Sequence, residues 1–268
     1  MYFSDLALSK RLERAEGSTC VRHAEAHRRL FPDSGADWME CAGAYAVFDG
    51  IDSPITQTFG LGIFEELTEA ALNSIEKYFL DRGAPVVHEV SPFAGTAALG
   101  ILCDRCYKPV EISSVLVRPV ERPAAEEQKD VSARIITPAE SQLWSEVSAT
   151  GWSHEHPELL DFLLNLGSIC AAREETLCFL AEYCGRPGAA ALLGIHDGVA
   201  VFGGSATVPE LRHHGLHSAL LDMRMRCAFD HGCKLAMIVA QPGSASQRNA
   251  ERNGFRIAYT RTKWQLQS

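Results

Sequence analysis

Apolar positions along this chain change their period several times, and the changes divide it into elements. Val131 to Thr137 alternates as a half-buried strand. Pro138 to Trp152 and Pro157 to Arg173 carry helical spacing, each with Pro near its start, where a missing N–H does no harm. Thr176 to Cys184, Ala189 to Ile195 and Val199 to Val208 read as strands joined by "GRPG" and "HDG" turns. From Gly215 the spacing is helical again, with Leu216, Leu220, Met223 and Cys227 on one face, and Gly232 ends it. Lys234 to Ala240 is a continuous apolar run, the pattern of a strand buried on both faces. Ser244 to Asn253 predicts a short helix and Phe255 to Leu266 a last strand. The order is strand, two helices, three strands, helix, strand, helix, strand.

The first half repeats part of this pattern. Asp81 and Asp230 each open an Asp-x-Gly stop after a helix, followed by an apolar strand, a proline, a short helix and an aromatic-led strand. Upstream, Asp49-Gly50 and Asp197-Gly198 each predict a hairpin turn. The offset is 148 residues between the hairpin turns and 149 between the helix stops. Between the halves, Arg122 to Asp130, "RPAAEEQKD", is polar and proline-bearing and reads as a linker. The expectation is a domain over 1–121, a linker over 122–130 and a second domain over 131–268, each half a normal domain size. Phe3 to Leu30 reads as a helix polar on most faces, which predicts packing against the other domain.

Composition narrows the partners. The 268 residues are 46% hydrophobic and 22% charged, as in an ordinary soluble globular protein. A net charge of −9 argues against nucleic acid or an anionic membrane surface as the main partner. No apolar run approaches the ~20 residues of a membrane span, and the N-terminus lacks a signal-peptide pattern, so a cytoplasmic location is expected. Nine cysteines without framework spacing are expected to stay reduced, as buried small hydrophobes. Cys103 and Cys106 form one CxxC without a second pair, which reads as a buried helix end or as a redox or zinc element.

The stretch with chemistry in it is "TVPELRHHGLHSALL", Thr207 to Leu221. A helix N-terminus carries unpaired N–H groups and a partial positive charge, so it favours anions. Gly215 lets the turn close and lets a ligand approach the backbone. Arg212 adds fixed positive charge. The Gly203-Gly204 pair predicts a bulge that would splay this strand from Lys234 to Ala240, leaving backbone groups for an extended amide-bearing ligand. Pyrophosphate at the helix and amides in a slot together describe coenzyme A.

Arg212-His213-His214-Gly215-Leu216-His217 resembles motif A of the GNAT acyltransferases, Gln/Arg-x-x-Gly-x-Gly/Ala. "SASQRNAERNGFRIAY" resembles their motif B, a short helix ending in Gly-Phe, and the element order is similar as well. The resemblance covers about Val131 to Trp264 and, more faintly, about Glu40 to Val120. It implies an α/β (α+β) fold of two tandem GNAT-like domains, each a mixed, mostly antiparallel sheet flanked by helices. It also implies transfer of an acetyl group from acetyl-CoA to an amine of a small molecule or peptide, by direct attack in a ternary complex, with no metal. The cofactor residues it implies are Thr207, Val208, Arg212, His213, His214, Gly215, Leu216, His217, Ser218, Ser244, Ser246 and Asn249. Backbone N–H groups around Val208 would polarise the thioester carbonyl.

The chain departs from the pattern at three points. His217 replaces the last small residue of motif A. Ala250 occupies the position of the general-acid tyrosine, and Val201 to Ser205 hold no acid to act as general base. Tyr259, on the strand after motif B, is the remaining candidate acid, or else a core residue. These departures leave open a non-catalytic acyl-CoA-binding or regulatory module. His213, His214 and His217 are expected to be largely neutral donors, because the helix dipole disfavours their charged form, or plain surface histidines. His154 and Glu155 lie where acceptors of the family enter, as lining groups or as a solvated loop. His154, Glu155 and His156 also suggest a metal, but no second cluster completes a site. In the first half the offset places Ile63 or Phe64 opposite Arg212, followed by Glu65 and Glu66, which would repel a pyrophosphate. That copy is expected to lack the cofactor. A monomer and a homodimer are equally open.

Overall fold

The computed structural model describes residues 3–122, 130–154 and 157–267. The chain forms two compact units that do not follow chain order: one holds residues 1–118 and 237–268, the other residues 119–236. Most of the linker, 123–129, lies outside the described residues.

The first unit contains α1 (Leu6–Leu30), β1 (Asp37–Cys41), β2 (Ala44–Phe48), β3 (Gln57–Phe59), α2 (Glu69–Leu80), β4 (Val87–Val90), α3 (Gly95–Asp104) and β5 (Tyr107–Pro119). The second contains β6 (Val131–Ile135), α4 (Ser141–Ser153), α5 (Leu160–Ala171), β7 (Thr176–Tyr183), β8 (Arg186–His196), β9 (Val199–Thr207) and α6 (Leu216–Asp230). On β10 (Leu235–Ala240) the chain returns to the first unit, which also holds α7 (Ala245–Arg252) and β11 (Arg256–Leu266). In the second unit β6, β7, β8 and β9 form an antiparallel meander. In the first, the strand order is β1-β2-β3-β4-β11-β5. Only β3 and β4 among these pair in parallel, and β11 runs antiparallel to both β4 and β5. The fold is the expected mixed, mostly antiparallel α/β architecture. Among the described residues no helix is long and apolar enough to cross a membrane.

The first unit's sheet is covered on both faces. On one, α2 and α3 bury Leu72, Ile75, Phe79 and Leu102 against Val86, Val90 and Tyr107. On the other lies α1, capped by the Asp5 carboxylate, which accepts from the Leu8 N–H at 2.8 Å. Helix α1 was expected to pack against the second domain; it packs on β1, β2 and β3 and also bonds Tyr259 and Arg261 of β11, from the 131–268 range. Its polar appearance misleads because Glu13 and His23 are themselves buried, the latter beside Asp49 at 3.4 Å. Small residues bring the helix close: a Cβ on Gly17 would lie 3.0 Å from the Tyr45 ring and 3.2 Å from Phe59 Cβ.

Of the two expected hairpin turns, one forms. Asp197 and Gly198, both at positive φ (43° and 70°), join β8 directly to β9, as a two-residue turn requires. Asp49-Gly50 instead opens a longer loop between β2 and β3. There the Asp49 carboxylate accepts from Ser53 Oγ at 2.6 Å and bonds His27 Nδ1 at 2.6 Å. A buried carboxylate with partners within the loop stabilises a wider turn. The cysteines also differ from expectation. Cys170, Cys178, Cys227 and Cys233 are buried, but Cys184 and the Cys103/Cys106 pair are exposed free thiols. Helix α3 turns the last of its residues and the following turn outward, so the pair is not a buried helix end.

What fixes β11 between β4 and β5 is charge. The Arg261 guanidinium is almost fully buried and pairs with Glu13 at 3.1 Å, Glu16 at 2.5 Å and Glu89 at 3.0 Å. Burial opposes its charge, but the carboxylates of Glu16, Glu13 and Glu89 outweigh that and keep it protonated. Burial pushes the Glu13 carboxyl up, against the pull of Arg261. Lys263 adds pairs to Glu111 at 3.0 Å and Glu89 at 3.6 Å. Removing one member of a buried ion cluster leaves its partners uncompensated, at a cost of about 3–5 kcal/mol. Arg261→Met is therefore expected to destabilise the chain by about that amount in denaturant titration, and Tyr259→Phe, which removes one buried hydrogen bond, by only about 1 kcal/mol. Equal losses in the two variants would contradict this reading of the cluster.

Candidate functional site

Strand β9 carries the expected bulge. Its register with β8 passes from Ala190 opposite Ala206 to Leu192 opposite Gly203, one residue more on β9 than on β8. Gly204 takes φ 58° within it, and a Cβ there would meet Leu192 Cδ1 at 2.9 Å. An unforeseen residue backs this irregularity. Arg224 of α6 is only 1% exposed. It donates through Nη1 to the carbonyls of Leu192 at 3.3 Å and Gly203 at 3.5 Å, and through Nε to Leu220 O at 3.2 Å. Its guanidinium lies 4.7 Å from the Phe202 ring centroid. Burial pulls its pKa down to about 9, so it stays charged at neutral pH. The signal was present in the sequence: Arg224 stands four residues after Leu220 and three before Cys227, inside the apolar stripe. Met223, assigned to that stripe, is only half-buried.

Beyond β9 the chain makes a short 3-10 turn, Pro209–Leu211, and then the motif A segment. Arg212 is exposed, with Nε 3.4 Å from Thr207 O. His213 takes a left-handed conformation (φ 67°), and His214 stacks on Tyr183 of β7 with ring centroids 4.2 Å apart. Gly215 follows at φ 84°, ψ −1° as N-cap of α6. A side chain at this φ would be strained. No side chain caps α6, and its first turn holds no acid. Its first helical-type bond runs from Ala219 N–H to Gly215 O at 3.0 Å, so the amides ahead of it have no partner within the helix. The turn packs on β8, where Gly188 makes room: a Cβ would meet Leu211 Cδ1 at 2.3 Å and Leu216 Cδ1 at 2.9 Å.

The corresponding helix of the first half is closed. Thr68 caps α2, its hydroxyl accepting from Ala71 N–H at 3.2 Å, and Glu69 occupies the first turn. Glu65 and Glu66 just ahead are exposed. Among the described residues, one helix mouth has no side-chain cap and no acid in its first turn; the other has a hydroxyl already engaged and three carboxylates.

Three expectations change. The Val208 N–H donates to Gly188 O at 2.9 Å. It is committed to the sheet and is not a donor to a thioester carbonyl. Tyr259 is buried in the first unit and donates its hydroxyl to Glu13 at 2.8 Å. Burial, then the Glu13 charge, raise its pKa well above the usual tyrosine value. Its surroundings are those of a packing tyrosine and not of a proton donor to a thiolate. His217 is held neutral, as expected, but the main cause is burial, with the Arg224 charge second, and not the helix dipole.

The remaining candidates are placed as follows. Ser244 caps α7 by accepting from Gln247 N–H at 3.1 Å. Ser246 is exposed and Asn249 half-buried on the same helix, and Ala250 is buried. These lie in the first unit, and Thr207 to Ser218 in the second. His154 is exposed at the end of α4, and Glu155 lies outside the described residues. Among the described residues no group of His, Cys, Asp and Glu could hold a metal ion.

No protein-family model matches the chain, and no curated protein matches it. Solved structures do. A GCN5-related N-acetyltransferase from Kribbella flavida is similar with a TM-score of 0.68 at 16% identity, over 97% of this chain and 96% of its own. Another from Sphaerobacter thermophilus gives 0.58 at 17% identity, over 87% and 76%. A tandem GNAT protein from the clavulanic acid biosynthesis pathway gives 0.56 at 12% identity, over 84% and 79%. These likenesses show the fold: the chain has GNAT architecture in a tandem arrangement.

The pKa of His217, lowered from 6.5 to about 4, has a measurable sign. Below pH 6.5 the unfolded chain takes up the proton that the folded chain refuses, so this group's effect on stability worsens as pH falls from about 6.5 to about 4. Ring-resonance titration is expected to show His217 unprotonated throughout pH 5.5–8. A midpoint near 6.5 would show the ring solvated and not shielded beside Arg224.

Proposed function

We propose that the chain is a GNAT-type N-acetyltransferase whose second half, 131–268, binds acetyl-CoA and passes the acetyl group to an amine of a small molecule or peptide. The observation that carries the reading is the mouth of α6: a left-handed Gly215, no capping side chain, no acid in the first turn, and Arg212 beside it. Pyrophosphate suits that mouth, because oriented amides and a helix dipole favour an anion there. The bulge at Gly204, backed by Arg224, interrupts the β9 ladder where the pantetheine amides would run. The first half, 1–121, is read as a copy that no longer binds the cofactor, because Thr68 and the neighbouring acids occupy its helix mouth.

Acetyl-CoA would supply the activated acyl carbon, and the amine would attack it directly within a ternary complex. The residues of this chain would bind and orient: Thr207 and Arg212 to Ser218 would hold the phosphates. Ala250 has no proton to give and Tyr259 has its proton engaged, so solvent is the proton source for the departing thiolate. A thiol leaves without strong need of an acid, and a general acid contributes only ~10²–10⁴-fold. His154 is the described residue proposed to line the acceptor entrance, beside Glu155. The same missing acid, and the lack of a carboxylate over Val201 to Ser205, favour one second reading: a module that binds acyl-CoA without turning it over.

Gly215→Glu is expected to abolish acetyl-CoA binding, by tenfold or more in Kd (about 1.4 kcal/mol per tenfold), while the chain remains folded. Arg212→Ala is expected to weaken binding more at low salt than at high salt, because its contribution is electrostatic. Unchanged affinity in folded Gly215→Glu would sink the cradle. Thiol release with a panel of amines separates the two readings: release identifies the transferase, and binding without release identifies the module.

A further inference from the structure

Of the shielded polar side-chain atoms of the first unit without a hydrogen-bond partner among the described residues, three lie in one row. Thr58 on β3 pairs in register with His88 on β4, and His88 with Trp264 on β11. Register partners on adjacent strands present their side chains to the same face. Here it is the face covered by α2 and α3, because Trp264 packs against their core and His88 reaches Tyr107. The atoms are Thr58 Oγ1, His88 Nδ1 and Trp264 Nε1. Thr58 and His88 are wholly buried, at 0% exposure. A strand spacing of about 4.8 Å brings the three Cα atoms within about 10 Å, with His88 between Thr58 and Trp264.

Hydrogen-bond direction specifies the ligand. The Tyr107 hydroxyl donates to Glu76 Oε1 at 3.0 Å, so its oxygen accepts from His88 Nε2–H, also at 3.0 Å. A neutral imidazole carries one N–H, and Nδ1 is therefore an acceptor. Burial, which pulls His88 down to about 3, keeps the ring neutral. Trp264 Nε1 can only donate, and the Thr58 hydroxyl does either. An anion is opposed by the His88 lone pair and the nearby Glu76 carboxylate. A cation is opposed by the indole N–H. A small neutral molecule that both donates and accepts satisfies all three atoms at once.

We propose that Thr58, His88 and Trp264 form a built internal site for a sequestered water molecule that ties the inserted strand β11 to β3 and β4. The site is independent of the cofactor reading. It accounts for the wholly buried Thr58 and His88 and the shielded Trp264 indole N–H on a mostly apolar face, since buried polar groups in native proteins are paired with protein or with ordered water.

Thr58→Val tests the site by the sign of its effect, because Val has the shape of Thr without the hydroxyl. If the hydroxyl binds water, its loss raises the unfolding equilibrium constant roughly fivefold. If the hydroxyl is bare, its loss lowers that constant or leaves it unchanged, and the proposal is overturned. A second measurement needs no variant: in the native full chain, the Trp264 indole proton is expected to show a cross-relaxation peak to a long-lived water, with the His88 ring in its Nε2–H tautomer. An indole proton without such a peak, or an Nδ1–H tautomer, overturns the proposal even if Thr58→Val fails to fold.

Discussion

Arg261 is the residue on which the first unit depends. It lies on the last strand of the chain, and its three carboxylate partners come from α1 and β4. A guanidinium buried so completely is unfavourable alone, and so are three carboxylates around an empty centre. Together they are tolerable only in one register. Arg261 and Lys263 face α1, while Trp264 packs against the core of α2 and α3 on the opposite face. A slip of one residue would move every one of these side chains to the wrong face. The cluster thus specifies where β11 goes more than it adds stability, and it makes the end of the chain part of the unit that begins it.

The helix mouths of the two halves differ in their capping. In the first, a hydroxyl caps the helix after the parallel-pairing strand, and acids surround it. In the second, a left-handed glycine opens a helix without a side-chain cap, and a buried arginine bonded to carbonyls and lying over the Phe202 ring backs the bulge ahead of it. Anion binding needs donors that the protein itself does not use. Among the described residues, α6 has no side-chain cap, whereas Thr68 caps α2.

Much of this was legible in the sequence because it is local. The period change at Gly215, the apolar run from Lys234 to Ala240, and the Asp-x-Gly stops all depend on neighbours within a few residues, and the elements formed where expected. Gly204 was legible as a bulge because a glycine pair inside a strand has few other uses. What stayed hidden is non-local. Nothing near Tyr259 reveals that Glu13, almost the whole chain away, accepts the hydrogen bond of its hydroxyl. Nothing near Val208 shows that its amide is spent on Gly188. Helix α1 looked polar because its buried face carries Glu13 and His23, whose partners come from distant strands. Arg224 was visible as an arginine in an apolar stripe, but its role required knowing which carbonyls the bulge leaves facing it.

The account turns on a difference between two helix mouths in one chain, and binding stoichiometry measures that difference directly. Calorimetric titration of the intact protein with acetyl-CoA is predicted to give one site per chain, with phosphate contacts that weaken as salt rises. Two equivalent sites per chain would contradict it, because the capped and acid-lined mouth of α2 would then serve as well as the mouth of α6, which has no side-chain cap among the described residues.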